Sequence, residues 1–178
     1  KIVSYLKGTR NATLVLGGTE TTVGINAYSD ADWGGDPDKR RSRTGYIIFI
    51  GKSPVIWTSK LQTTTAFSSC EAEYLALGDS SKDVVWTRNL VSEMGFRQSY
   101  ASPIAEDNKS AIDIASNKKS FSGVKHIEIR HHAIQDFVAG NIISLVQVPT
   151  AEMAADLFTK NLPFPAFSKH RKTIGIQL

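Results

Sequence analysis

Five apolar residues in a row, Tyr46–Ile50 (YIIFI), are followed after only Gly51-Lys52-Ser53 by a second strand-like run, Pro54–Ser59 (PVIWTS). A connection that short joins antiparallel neighbours. Pro54 opens its strand, where a missing N–H is tolerated. Upstream, Val23–Ser29 alternates enough for a third strand and runs into Ser29–Gly45 (SDADWGGDPDKRRSRTG), an acidic, glycine-bearing stretch that reads as a long loop or hairpin connection. The chain is therefore expected to lay down three antiparallel strands in sequence.

From Ser68 the period changes. Ser68 with Glu71 three residues on has the spacing of a capping box. Leu77, Val84, Leu90, Val91 and Met94 then continue a long helix over Cys70–Met94, stopped by Gly95. Next come a short strand (Pro103–Glu106), a short helix (Asn108–Ala115), a helix (His126–Ala139) ended by Gly140, a strand (Ile142–Val148) and a helix (Ala151–Lys160) closed by Pro163. Three antiparallel strands followed by crossover units make an α/β fold: a mixed sheet with helices on its faces. At the N-terminus, Lys1–Arg10 reads as the last turns of a helix and Leu14–Thr21 as a short strand. Trp57 and Trp86 are expected in the core, and Cys70 as a small buried side chain.

Several function classes drop out. A single cysteine permits neither a disulfide framework nor a multi-cysteine zinc site. No apolar run approaches a membrane span. The net charge of +4 permits a polyanionic partner without requiring one. The opening KIVSYLKGTR has neither an initiator Met nor a signal-peptide pattern, and reads as an internal cut from a longer polypeptide.

Four carboxylates share a placement. Asp30 closes the first strand, Asp107 closes the fourth, Glu73 lies in the first turns of the long helix, and Asp156 lies in the last main helix. Strand ends and adjoining helix starts converge on one crevice in such sheets. Carboxylates forced together repel, and a hard divalent cation offsets that cost. Two such ions can hold both the attacking water and the leaving oxygen of a phosphodiester. Taken singly, each of these residues is ordinarily a turn, cap or solvated side chain.

The spelled motifs carry more. SYLKGT, YSDADWGGDPDKRRSRTGYIIFIGKSPVIWTSK, SSCEAEYLAL, AEDNKSAIDIA, KHIEIRHHAI and VPTAEMAADLFTKNLP occur in that order. Together they resemble the ribonuclease H domain of copia-type LTR retrotransposon Pol polyproteins, with SYLKGT resembling the tail of the preceding reverse-transcriptase region. The resemblance implies an RNase H-like fold: a five-stranded mixed sheet, order 3-2-1-4-5, flanked by helices. It implies a reverse-transcriptase or connection tail over 1–20, an RNase H domain over 21–163 and a C-terminal extension over 164–178. It also implies hydrolysis of the RNA strand of RNA–DNA hybrids during reverse transcription. The implied cofactors are two Mg²⁺ or Mn²⁺ ions held by Asp30, Glu73, Asp107 and Asp156. The implied partner is the polymerase region of the same polyprotein, and the implied location is intracellular, in cytoplasmic virus-like particles.

Glu73 is preferred to Glu71, because two residues on a helix point about 200° apart and the capping box accounts for Glu71. Asp32 is expected to leave the face of Asp30; Asp36 and Asp38 are expected to serve loop solvation and turn chemistry. Many relatives carry a mobile His shortly before the last Asp. Pro149–Ala155 has none, which leaves His126 as the candidate proton shuttle, ahead of His131 and His132. Hybrid contacts fall to Arg40, Arg41 and Arg43 in the basic run that begins at Lys39, and to Asn108, Ser69, Ser110 and Lys125, with Lys60, Arg130 and Lys160 as extensions of the track. Two rival readings compete with the nuclease. One is a catalytically idle domain on the same fold, acting as a structural or nucleic-acid-binding partner of the polymerase. The other is a hydrolase of small phosphate esters.

Overall fold

The computed structural model describes residues 2–17, 23–117 and 125–177, with the backbone alone at 2, 4 and 125–131. After helix α1 (Ile2–Thr9) and the two-residue strand β1 (Thr13–Leu14) come β2 (Ile25–Asp32), β3 (Arg43–Ile50) and β4 (Ser53–Leu61). Helix α2 (Ser69–Glu93), β5 (Ser102–Glu106), α3 (Lys109–Ala115), α4 (Lys125–Ala139) and β6 (Ile143–Gln147) follow, then α5 (Asp156–Thr159), α6 (Phe164–Thr173) and β7 (Ile176–Gln177). Five strands form one sheet in the order β4-β3-β2-β5-β6. Counted along the chain within that sheet, the order is 3-2-1-4-5. β2, β3 and β4 are antiparallel neighbours, whereas β5 lies parallel to both β2 and β6.

The apolar run of β3 has a direct cause: both faces of the sheet are covered. Tyr46 and Ile48 join Ile25, Ala27 and Ile104 under Tyr74, Leu77 and Val84 of α2 and Ile134 of α4. Ile47 and Phe49 face the other way, against Ala154, Ile174 and the flanking Leu157 and Phe158. A register shift between Ile48 and Phe49 relieves the pairing opposite Pro54, which sits on the edge strand. The terminal segments meet each other. β1 pairs antiparallel with β7, Tyr5 packs edge-on to Phe167, and the Gly17 N–H donates to Ser53 Oγ. The strand expected over Leu14–Thr21 is thus reduced to Thr13–Leu14, and residues 18–21 of it lie outside the described residues. No helix among the described residues is long and apolar enough to cross a membrane.

The single helix expected over Ala151–Lys160 is a 3₁₀ turn at Thr150–Glu152 followed by α5. Met153 turns extended between them and buries its side chain with Ala154 and Ala155, so burial of three apolar residues outweighs helical continuity. Trp57 and Trp86 are not core residues but are 54% and 57% exposed. Trp57 lies on the edge strand, where the short α5 and β7 give little cover, and Trp86 lies on the side of α2 away from buried Val84, Thr87 and Val91. Asp32 does not leave the face of Asp30, because β2 continues through it and residues two apart along a strand share a face. Cys70 is half-buried against the main core.

Candidate active site

Asp30 sits on the central strand and is fully buried. Its pairing partner on β3 is Gly45. A Cβ at Gly45 would lie 2.5 Å from Thr159 Cγ2 and 2.9 Å from Phe158 Cβ. The missing side chain therefore lets α5 lie flush against the sheet, and both oxygens of Asp30 are claimed from there. Thr159 Oγ1 donates to Asp30 Oδ2 and Lys160 Nζ donates to Oδ1 at 3.0 Å. The same ammonium reaches Asp156 Oδ1 at 2.7 Å. Lys160 thus bridges two carboxylates and does not extend a surface basic track.

Glu73 is placed by the start of α2. Ser68 Oγ accepts the Glu71 N–H at 3.1 Å, and Glu71 Oε2 accepts the Phe67 N–H at 2.8 Å. The glutamate of this box reaches back one residue beyond the cap, leaving Glu73, half a helical turn on, to face the interior. Glu73 is buried, and its Oε2 has no hydrogen-bond partner.

The third contribution comes from the end of β5. Asp107 is half-buried, and its Oδ2 accepts from Thr150 Oγ1 at 2.7 Å. Asn108 caps α3 by accepting the N–H groups of Ser110 (3.0 Å) and Ala111 (3.1 Å). One oxygen each from Asp30, Glu73 and Asp107 lies within 4.8 Å of the others. Asp156 stands outside this trio and joins it through Lys160.

Glu106 escaped the sequence reasoning. It is fully buried, its Oε1 accepts the Asn108 N–H at 3.1 Å, and its Oε2 has no partner. The available signal was a charged residue closing a strand whose inner members, Ile104 and Ala105, are apolar.

Burial, reinforced by the neighbouring Glu106, Asp30 and Asp107 charges, pushes the Glu73 carboxyl up to about 11. Burial likewise raises Glu106 and Asp30, the latter against the opposing pull of Lys160. The Lys160 ammonium rises above the usual lysine range: burial opposes its charge, but Asp30 and Asp156 outweigh it. An all-oxygen trio with an orphaned buried oxygen fits a hard divalent cation such as Mg²⁺ or Mn²⁺.

Asp36 organises the loop after β2: its Oδ2 accepts the Lys39 N–H at 2.8 Å and its carbonyl accepts the Arg40 N–H at 2.9 Å. Arg40 is exposed and Arg41 and Arg43 are half-buried, so a basic run leads into the start of β3. Ser69 is exposed in the first turn of α2, and Lys60 pairs with Asp79 at 3.2 Å. Asp32 is taken up by the adjoining turn, where a Cβ at Gly35 would collide with its carboxylate. The side chains of Lys125, His126, Arg130 and His131 lie outside the described residues, and His132 is exposed.

The chain is 34% identical over 176 residues to the retrovirus-related Pol polyprotein from transposon TNT 1-94 of Nicotiana tabacum. It is 37% identical over 176 residues to that from transposon RE1 of Arabidopsis thaliana. These matches cover 98% and 99% of the chain. The chain is a homologue of copia-type retrotransposon Pol polyproteins. It spans 13% and 12% of the length of those two relatives. No family model matches it. Its fold is that of RNase H. LC11-RNase H1, isolated from compost by a metagenomic approach, superposes with a TM-score of 0.59 at 17% identity, covering 78% of this chain and 94% of that one. The same enzyme in complex with an RNA/DNA hybrid gives 0.55 at 14% identity, covering 76% and 93%.

Proposed function

We propose that this chain is a ribonuclease H that cuts the RNA strand of RNA–DNA hybrids endonucleolytically during retrotransposon reverse transcription. In this reading Asp30, Glu73, Asp107 and Asp156 hold two Mg²⁺ or Mn²⁺ ions. The observation that carries it is the trio of Asp30, Glu73 and Asp107 oxygens within 4.8 Å of one another, with Glu73 Oε2 buried and unpartnered. Homology to Pol polyproteins and the fold of an enzyme solved with an RNA/DNA hybrid support the substrate class.

Held by Asp30, Glu73, Asp107 and Asp156, divalent cations would supply a lowered pKa for water and charge stabilisation at the scissile phosphate. The chain's own residues set the stage. Asp30 is fixed by Thr159 and Lys160, and Asp107 by Thr150, so two carboxylates are pre-aimed before any ligand arrives. Glu73 would have to be in its carboxylate form to hold a cation, as any ligating carboxyl must. Arg40, Arg41 and Arg43, in the loop before β3 and at its first residue, are the proposed contacts to backbone phosphates, and Ser69 and Asn108, at the starts of α2 and α3, the proposed contacts to 2′-hydroxyls. The polymerase region of the polyprotein is the proposed partner in gripping the hybrid.

The test is a labelled RNA–DNA hybrid incubated with the protein in Mg²⁺, with and without chelator. Cleavage that disappears with chelator and in Asp107→Asn, while that variant still binds hybrid, is the expected result. Undiminished cleavage by Asp107→Asn sinks the site assignment. Hybrid binding without cleavage by the unaltered chain favours the idle-domain reading.

A further inference from the structure

Lys160 places an ammonium between carboxylates assigned above to cations, 3.0 Å from Asp30 and 2.7 Å from Asp156. The contact is built into the fold. Asp30 is fully buried, Gly45 is bare so that α5 lies against the sheet, and Asp156 is four residues before Lys160 on the same turn. The Lys160 side chain is nevertheless 35% exposed, so its flexible stem reaches solvent without opening the core. Uncompensated buried carboxylates cost several kcal/mol each, and an ammonium at contact distance supplies the compensation. It also occupies the lone pairs that a hard cation needs.

Resting on the nuclease reading, we propose that Lys160 is a displaceable counter-cation: its ammonium holds the Asp30–Asp156 pair in the metal-free protein and leaves for solvent when the second divalent cation binds. The Glu73–Asp107 side carries no such ammonium among the described residues and takes the first cation. The two ions consequently bind with unequal affinity, and the site is fully loaded only when divalent cation is abundant enough to evict Lys160.

Mn²⁺ titration followed by the electron paramagnetic resonance of the free ion reads this on the intact chain, without turnover. The unaltered protein is expected to show a tight and a weak step. In Lys160→Met, which keeps the stem and removes the charge, the weak step tightens about tenfold, and the metal-free protein melts at a lower temperature that excess Mn²⁺ restores. Lys160→Arg keeps the charge and retains two unequal steps. Identical Mn²⁺ binding and melting in Lys160→Met and the unaltered chain overturn the proposal. Should Lys160→Met not fold even with Mn²⁺, the ¹⁵Nζ resonance of Lys160 in the unaltered chain decides: it moves with the second equivalent of Mg²⁺, and a signal unmoved to saturation overturns the idea. Failure of the nuclease reading looks different: no Mn²⁺ binds the unaltered chain, or Asp107→Asn leaves the titration unchanged.

Discussion

The two halves of the carboxylate site solve the same electrostatic problem in opposite ways. On the α5 side, Asp30 and Asp156 share the Lys160 ammonium, and Asp30 takes a further hydrogen bond from Thr159. On the α2 and β5 side, Glu73, Glu106 and Asp107 crowd together with no lysine or arginine among the described ion pairs, and Glu73 and Glu106 each leave an oxygen unpartnered. One half carries its counter-charge in the chain; in the other, burial and mutual repulsion favour the protonated carboxyls. The difference teaches where charge and fold stability are coupled: in the half without an ammonium, burial and crowding raise the carboxyls, so the stability of that half depends on pH.

The largest expected effect comes from removing charge in that uncompensated half. Glu73→Gln should reduce hybrid cleavage to background in Mg²⁺ and, unusually for a buried site, stabilise the metal-free protein by about 2 kcal/mol in urea unfolding at neutral pH. A loss of metal-free stability would show that Glu73 is compensated after all. Next, Gly45→Val tests whether the compensated half depends on the close approach of α5. Its side chain meets Thr159 and Phe158, and overpacking should cost about 2–3 kcal/mol and weaken Mn²⁺ binding; an unchanged denaturant midpoint would mean that α5 moves freely.

A pH series separates the halves in one experiment. Glu73 and Glu106 hold protons more tightly folded than unfolded, so their contribution to stability is complete below the ordinary glutamate value of 4.5 and is lost as pH rises toward the folded value, about 11 for Glu73. Metal-free protein should melt progressively lower from pH 5 to pH 9, whereas saturating Mg²⁺ should flatten that slope. Equal slopes with and without Mg²⁺ would break the comparison. The smallest effect is expected at the cap that aims Glu73. Ser68→Ala should cost about 1 kcal/mol in thermal or urea unfolding, with Mn²⁺ affinity falling at the Glu73 side while the Lys160-dependent step is unchanged.

Much of this was legible along the chain because it is local. The Ser68–Glu71 spacing announces the start of α2, where Ser68 and Glu71 do take up capping hydrogen bonds, and Glu73 lies beside Asp30 and Asp107. The YIIFI run announces a strand covered on both faces, and three turn residues announce the hairpin to β4. Asp30, Glu73 and Asp107 were chosen by resemblance and by their places at strand and helix ends, and they do meet. Local pattern failed where burial at a distance intervened. Met153 ends a helix that periodicity would continue, and Trp57 and Trp86 lie more than half exposed because the neighbouring elements cover them only in part.

Turn chemistry, caps and apolar periodicity act over a few residues, so the linear order of amino acids was enough to set out the elements and to nominate the acidic residues. The counter-charge on Asp30 comes from Lys160, 130 positions later, and its approach depends on a glycine on a neighbouring strand. Glu106 became buried beside the other carboxylates only once β5 took its place between β2 and β6. Electrostatic energy depends on distance through space and on the exclusion of water, and neither exists until the sheet and its covering helices have assembled.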